Sequence, residues 1–221
     1  MCGRYSFTSP LEAMRRTFPI EGSPNLQPRY NIAPTQTAPV LRRHPDGRLL
    51  CHEIRWGLIP SWSRDMTGAA RMINARAETV DEKPAFRAAF GRRRCLIPAD
   101  GFYEWEKLPD GTKQPWRIVI GDGQPFAFAG LWERWAHPEE GNIDTYTIIT
   151  TEAAATISSI HHRMPVILQD TDHRNWLDPE ADAPALKALL QPNAGARGYR
   201  VSSRVGNVRN DDAALFDEVD A

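Results

Sequence analysis

Seven clusters of β-branched, aromatic and apolar residues, each bounded by turn-forming residues, constrain this chain more than any other feature. They fall near residues 40–42, 49–56, 95–98, 102–107, 116–120, 126–135 and 146–150. Side chains of this kind suit a pleated, half-buried surface, so most of the core is expected to be sheet. Pro109-Asp110-Gly111 and Gly121-Asp122-Gly123 supply hairpin turn chemistry between clusters, which favours antiparallel pairing. Helical patterns are short. Ser9-Pro10-Leu11-Glu12 has the cap, first-turn proline and N3 glutamate of a helix running to about Phe18. Further helical segments are expected near residues 84–90, 152–159, 172–177 and 183–190, while residues 21–28 and most of 60–70 read as loops. The expected architecture is an α+β fold with a mainly antiparallel, barrel-like β core flanked by short helices.

The 221 residues suffice for one sizeable core, and a single domain over residues 2–221 is expected. No apolar run approaches the ~18–20 residues of a membrane helix. The opening MCGRYSFTSP has neither the basic nor the apolar region of a secretory signal. A cytoplasmic, monomeric protein without a membrane partner is the expectation. The net charge of -1 hides an asymmetry: residues 1–100 hold 16 Lys+Arg against 9 Asp+Glu, while residues 101–221 hold 11 against 19. Arg15-Arg16, Arg42-Arg43 and Arg92-Arg93-Arg94 together permit an anionic partner, although each alone reads as a solvated face.

Cys2, Cys51 and Cys95 lack metal-ligand spacing and cannot all pair. Cys51 and Cys95 sit within strand-like runs, where a free thiol is usually a small buried hydrophobe. Cys2 stands apart from any such run. Methionine before a small residue is normally removed, which leaves Cys2 with a free α-amine beside its thiol. Reference pKa values of about 7.7–8.0 for the amine and about 8.5 for the thiol make both partly nucleophilic near neutrality. Their natural target is an aldehyde. The amine condenses to an imine and the thiol closes a five-membered thiazolidine, helped by the effective molarity of an intramolecular attack.

Three other blocks carry chemistry. Within Met72 to Thr79, Asn74 can hydrogen-bond an amine or a sugar oxygen and Arg76 can clamp a phosphate; the bland reading is a polar turn. In Asp100 to Trp105, strand alternation sets Glu104 opposite Tyr103 and Trp105, so aromatics facing outward would turn the carboxylate inward. An inward carboxylate has a raised pKa and can shuttle protons; the alternative is simple pairing with an arginine. His161 and His162 stand at an element boundary ahead of Pro165. Adjacent histidines point apart and no carboxylate or cysteine cluster accompanies them, so no metal is expected. Acid-base work by one histidine, with Arg163 on a phosphate, competes with ordinary structural hydrogen bonding.

Taken together, Cys2-Gly3-Arg4-Tyr5, Arg29-Tyr30-Asn31-Ile32-Ala33-Pro34, Trp56-Gly57 through Pro60, Asn74-Ala75-Arg76, Asp100 to Trp105 and His161 to Pro165 resemble the SOS response-associated peptidase family. Val205 to Asn210 extends the resemblance nearly to the C-terminus. The resemblance implies a protein that binds single-stranded DNA containing abasic sites, needs no cofactor, and attaches through Cys2 as a thiazolidine that shields the lesion. It implies that Cys2 is the nucleophile, Asn74 orients the reacting groups, Glu104 assists imine chemistry and His161 handles the proton on the sugar oxygen. Arg4, Asn31, Arg76 and Arg163 would contact the DNA, with Trp62 and Pro34 packing against nucleotides where it bends.

Two other function classes stay open at this level. Cys2, Glu104 and His161 could form an N-terminal cysteine peptidase or amidohydrolase, with self-removal of Met1 as one such reaction, while lyase-type activity would accompany the crosslinking that the resemblance implies. A non-covalent single-strand binding module would need the basic residues and aromatics but not Cys2.

Overall fold

The computed structural model describes residues 2–121, 123–137, 139 and 141–220. Strands form where the apolar clusters lie: β1 (Tyr5–Phe7), β2 (Ile20–Glu21), β3 (Arg29–Ile32), β4 (Thr37–Arg43), β5 (Leu49–Trp56), β6 (Asn74–Arg76), β7 (Arg94–Ala99), β8 (Gly101–Lys107), β9 (Lys113–Ile120), β10 (Phe126–His137), β11 (Gly141–Glu152), β12 (Arg163–Pro165), β13 (Ile167–Leu168) and β14 (Ala196–Arg200). The helices are short: α1 (Leu11–Thr17), α2 (Arg87–Arg92), α3 (His173–Trp176) and α4 (Ala183–Ala188). One sheet has the order β14-β9-β8-β1-β3; the other runs β12-β11-β10-β7-β4-β5-β2, with β13 on β10 and β6 on β11. Most pairs are antiparallel, while β2–β5, β5–β11 and β6–β11 are parallel. β1 also packs against β7 and joins the two sheets into the barrel-like core of an α+β fold.

Aromatic packing fills the space between the sheets. Tyr5 meets Trp56 and Phe128 edge-on, Trp56 stacks on Tyr146, and the Tyr5 and Tyr146 hydroxyls lie 2.7 Å apart, so each phenol's polar tip is satisfied inside an apolar core.

Two local expectations fail for identifiable reasons. Residues 152–159 form no helix: β11 extends to Glu152, which pairs with Arg163, and the chain then closes tight turns such as Ile157 N–H to Ala154 O and Ile160 N–H to Ile157 O. The return from Glu152 to Arg163, with the Ala153 N–H donating to His162 O (3.1 Å), leaves the alanines in the connecting turns despite their helix propensity. α1 forms, but no side chain caps it; its first turn closes on the Pro10 carbonyl, not on Ser9. The Pro109-Asp110-Gly111 turn links β8 and β9, with Gly111 at φ 86°. Asp122 of the second expected turn lies outside the described residues.

Two polar devices place β1, and therefore Cys2, against β8. Buried Asp100 accepts hydrogen bonds from Ser6 Oγ (2.6 Å) and Thr8 Oγ1 (2.8 Å), with the Arg117 guanidinium 3.4 Å away. Gly101 leaves room for that guanidinium, since a Cβ would come within 2.9 Å of it and Arg117 would have to shift. The second device is Asn31. Its Nδ2 donates to Asn210 O (2.7 Å), Val205 O and Asn207 O (both 3.2 Å), while its Oδ1 accepts from Arg4 Nη1 (2.8 Å). The C-terminal segment is thus laid over β3 and β8, closing a second small core of Tyr103, Val201, Val205 and Leu215.

This roof changes the reading of β8. Tyr103 does not face solvent; it is fully buried beneath the C-terminal segment, and its hydroxyl donates to Tyr30 O (2.8 Å). Asn31→Ala should remove the amide donor shared by three carbonyls and one of the two acceptors of Arg4 Nη1, leaving Arg4 on Val205 O (2.6 Å) and the Asn210 carbonyl unbridged. A loss of about 2–4 kcal/mol is expected, read as a fall in the urea midpoint with faster proteolysis between residues 201 and 220.

Candidate active site

Register brings the first site residues together. Tyr5 pairs with Phe102, and the Tyr103 N–H donates to Arg4 O (2.9 Å), so continuing that ladder sets residues 2 to 4 against Glu104. Glu104 is 3% exposed. Desolvation pushes its carboxyl up to about 7, with the positive amino terminus of the chain pulling the other way. His161, in the turn before β12, reaches the same place: its Nδ1 lies 4.0 Å from Glu104 Oε1 and 3.1 Å from both the backbone nitrogen and the carbonyl of Arg163. Burial lowers its pKa, and the amino-terminal charge lowers it further, so the ring is neutral at pH 7. His162 stacks on His161 with centroids 4.4 Å apart.

Cys2 differs from the sequence expectation in one respect. No apolar run surrounds it in the chain, yet it is fully buried and belongs to the main core cluster. The fold supplies apolar neighbours that sequence proximity does not. Desolvation raises the thiol well above its usual range, the nearby Glu104 charge raises it more, and Sγ approaches Arg4 O at 3.9 Å. The sulfur is therefore a neutral thiol beside a carboxyl that titrates near neutrality.

β11 assembles the rest. Along one edge β6 pairs in parallel, with Asn74 opposite Ile148 and Arg76 opposite Thr150; β12 pairs at its end, with Pro165 also opposite Thr150. Asn74 Nδ2 donates to Ile73 O (3.0 Å), while its Oδ1 is buried and, among the described residues, accepts no hydrogen bond. Such an acceptor is costly to bury and suits a donor brought by a ligand or a reacting amine. Arg76 is exposed. Arg163 is not: its guanidinium grips Glu78 through two bonds (2.6 and 3.0 Å) and donates to Thr150 O (2.7 Å). Glu78, whose carboxyl that pairing holds below its usual range, was not singled out in the sequence; its place two residues after Arg76 is the only hint.

The remaining expected residues divide in the same way. Arg4 Nη1 donates to Asn31 Oδ1 and Val205 O (2.6 Å), and its guanidinium lies 5.9 Å from the Trp105 ring centroid. Asn31 is wholly buried under the C-terminal segment. Pro34 is half-buried and precedes Thr35, whose φ of 73° is the one positive value among described non-glycine residues. Trp62 is 66% exposed, the most exposed large hydrophobic residue described. Its loop is nonetheless anchored: Trp135 Nε1 donates to Ser63 O (2.7 Å), and Gly57 at φ 116° runs so close to Ala69 that a Cβ would sit 2.8 Å from its carbonyl. An indole held out on a tethered loop is a platform for stacking.

The chain is similar to known proteins over nearly its whole length. The SOS response associated peptidase (SRAP) family model matches residues 1–208. The chain belongs to the SRAP family. Among SRAP relatives, "Abasic site processing protein YoqW" of Bacillus subtilis (strain 168) is 42% identical, over 98% of this chain and 99% of the relative. "Abasic site processing protein HMCES" of Pongo abelii is 31% identical, over 100% of this chain and 77% of the relative. A crystal structure of a Bacteroides thetaiotaomicron protein superposes with a TM-score of 0.87 at 26% identity, covering 99% of this chain and 100% of that one. Among the described residues no group of three or more His, Cys, Asp or Glu is arranged to hold a metal ion, and no helix is long and apolar enough to cross a membrane.

Proposed function

We propose that this SRAP-family chain processes abasic sites by capturing them covalently in single-stranded DNA through Cys2. The observation that carries the reading is the meeting of Cys2, Glu104 and His161 around the start of the chain, with Glu104 poised near neutral pH. Relatives named for abasic site processing over nearly the whole chain support the same substrate.

An abasic sugar opens to expose a C1′ aldehyde. Once Met1 is removed, the Cys2 amine adds to that carbon to give a carbinolamine, whose hydroxyl leaves as water when a proton is supplied. Protonated Glu104 is the donor in reach of that step. The thiol then adds across the C=N bond, its proton passing to nitrogen or back to Glu104, and the five-membered ring closes with one water lost in total. Neutral His161 accepts or returns the proton on the sugar oxygen that ring opening exposes. Asn74 Oδ1 is available to orient the amine. Trp62 and Pro34 offer stacking surface, and exposed Arg76 offers a guanidinium to phosphate. Arg163 would reach a phosphate by exchanging it for Glu78, and Arg4 with Asn31 chiefly braces the segment that carries Cys2.

The hydrolase alternative fits the electrostatics less well. A cysteine hydrolase needs a thiolate beside an imidazolium, whereas here the thiol is raised and the imidazole lowered. Aldehyde capture asks only for a neutral amine first and a thiol second.

Incubating mature protein with an abasic oligonucleotide should give an adduct that survives denaturation; no adduct with the wild-type chain overturns the reading. Placing a tag ahead of Cys2 should block the reaction, because the amine becomes an amide; a normal adduct from the tagged protein would mean that the α-amine takes no part. Affinity for undamaged single strands should fall steeply with salt, each phosphate contact adding about 0.7 to the slope of log K against log salt. A flat response would remove the arginines from the interface.

A further inference from the structure

A second concave site lies away from Cys2. It is a cavity of about 610 Å³ whose lining includes Arg42, Arg43, Arg92, Arg94, Arg134 and Trp132. Trp132 is the cross-strand partner of Tyr146, and Arg134 that of Asp144, so the cavity opens on the same sheet face as Tyr146 but further along the strands. Asp144 and Thr150 are six residues apart on β11, a separation of about 20 Å at ~3.4 Å per residue. The cavity is therefore separate from the Asn74–Thr150–Arg163 region.

Charge there is not balanced. Five guanidinium groups are accompanied by three carboxylates that touch the lining: Asp144, held by Arg42 (2.7 Å) and Arg134 (2.7 and 2.9 Å), Asp178, 4.0 Å from Arg43, and Asp46, 2.9 Å from His44 Nδ1 and shared with Arg48 outside the lining. Arg94 is 6% exposed and its nitrogens donate to backbone carbonyls, including Trp176 O (2.6 Å) and Phe90 O (2.7 Å), so it supplies positive charge from below, felt by the Asp178 carboxylate without a direct ion pair among the described residues. Arg92 is exposed at the rim and makes no ion pair among the described residues. Arg42 covers one face of Trp132 at 4.4 Å, which fixes both side chains in the wall. His52, also in the lining, has its pKa lowered by burial and then by Arg42, a local sign of the same positive field.

We propose that this cavity is a phosphate-binding site, taking either the terminal phosphates of a small nucleotide-like anion or the phosphodiesters of a nucleic-acid strand. Planar guanidinium groups match phosphate oxygens bidentately, and the cavity gathers five of them in one concavity. The inference does not depend on covalent capture at Cys2.

The test titrates full-length protein with pyrophosphate by calorimetry and with a long, undamaged, dye-labelled single strand by anisotropy. Both are repeated with Arg43→Glu/Arg92→Glu and with the milder Arg43→Gln/Arg92→Gln. These residues lie at the exposed rim, and thermal melts check that the fold is retained. The charge reversal should weaken binding at least tenfold and the glutamine pair by less. Loss confined to pyrophosphate assigns the site to a small phosphorylated ligand. Loss confined to the strand, with a smaller salt slope, assigns it to DNA or RNA backbone. Unchanged affinity for both, in folded variants, overturns the proposal.

Discussion

Cys2→Ala is expected to abolish the denaturation-resistant adduct with abasic single strands while the protein stays folded and binds DNA. Alanine is also small, so Met1 is still removed and an α-amine is still presented; only the sulfur is lost. The variant therefore retains the first chemical step without the ring closure. An imine formed by Cys2→Ala should be trapped by borohydride but hydrolyse without it, whereas the wild-type adduct should need no trapping. The buried thiol leaves only a small cavity when deleted, worth about 1 kcal/mol. Loss of the adduct with intact DNA affinity then separates chemistry from binding. A stable adduct in Cys2→Ala would move the reaction to another nucleophile.

The second large effect belongs to Glu104→Gln. Glutamine keeps the shape and cannot donate the proton that carries water from the carbinolamine, so the capture rate should fall about 10²–10⁴-fold. The pH profile gives a sharper test. Deprotonation of the amine raises the rate with pH, and loss of the Glu104 proton through about 7 lowers it again, giving a bell whose limbs belong to the coupled pair. Glu104→Gln should lose the alkaline limb. Stability moves the other way. The folded carboxyl binds its proton more tightly than the unfolded one, so folding stability is greatest below the ordinary glutamate value of 4.5 and declines as pH rises through about 7. Above that window the ionised, buried Glu104 is a burden on the order of 3 kcal/mol, and Glu104→Gln should be the more stable protein at pH 8. A variant less stable and equally active would deny Glu104 both roles.

The sequence conveyed the sheet better than its covering. All seven apolar clusters became strands, because β-branched and aromatic runs bounded by turns leave little choice. Glu104 is buried as expected, although not by alternation, since Tyr103 on the other face is buried too, and the boundary position of His161 followed from Pro165. What escaped notice came from contacts distant in sequence. Nothing around Tyr103 announces that residues 201–216 will roof it, since Asn31 and Asp211 act through backbone groups of segments far apart in the chain: Asp211 Oδ1 accepts from the Asn31 N–H at 3.0 Å. Cys2 has no apolar neighbours in sequence and many in space. Arg163, legible as a phosphate ligand, turns out to hold Glu78, a pairing that only the β6–β11–β12 arrangement creates. Glu152-Ala153-Ala154-Ala155 carries helix propensity, but Glu152 ends β11 opposite Arg163 and the alanines fall in the turns that connect the two strands.

The central claim is that one sugar carbon becomes bonded to both nitrogen and sulfur of Cys2. Tandem mass spectrometry of the nuclease-trimmed, trypsin-digested adduct tests it most directly. The account predicts that the Cys2-Gly3-Arg4 peptide carries the sugar remnant, at the summed mass less one water, with the thiol unreactive toward alkylation. A remnant on any other peptide, or a Cys2 thiol still open to alkylation within the modified peptide, would contradict it.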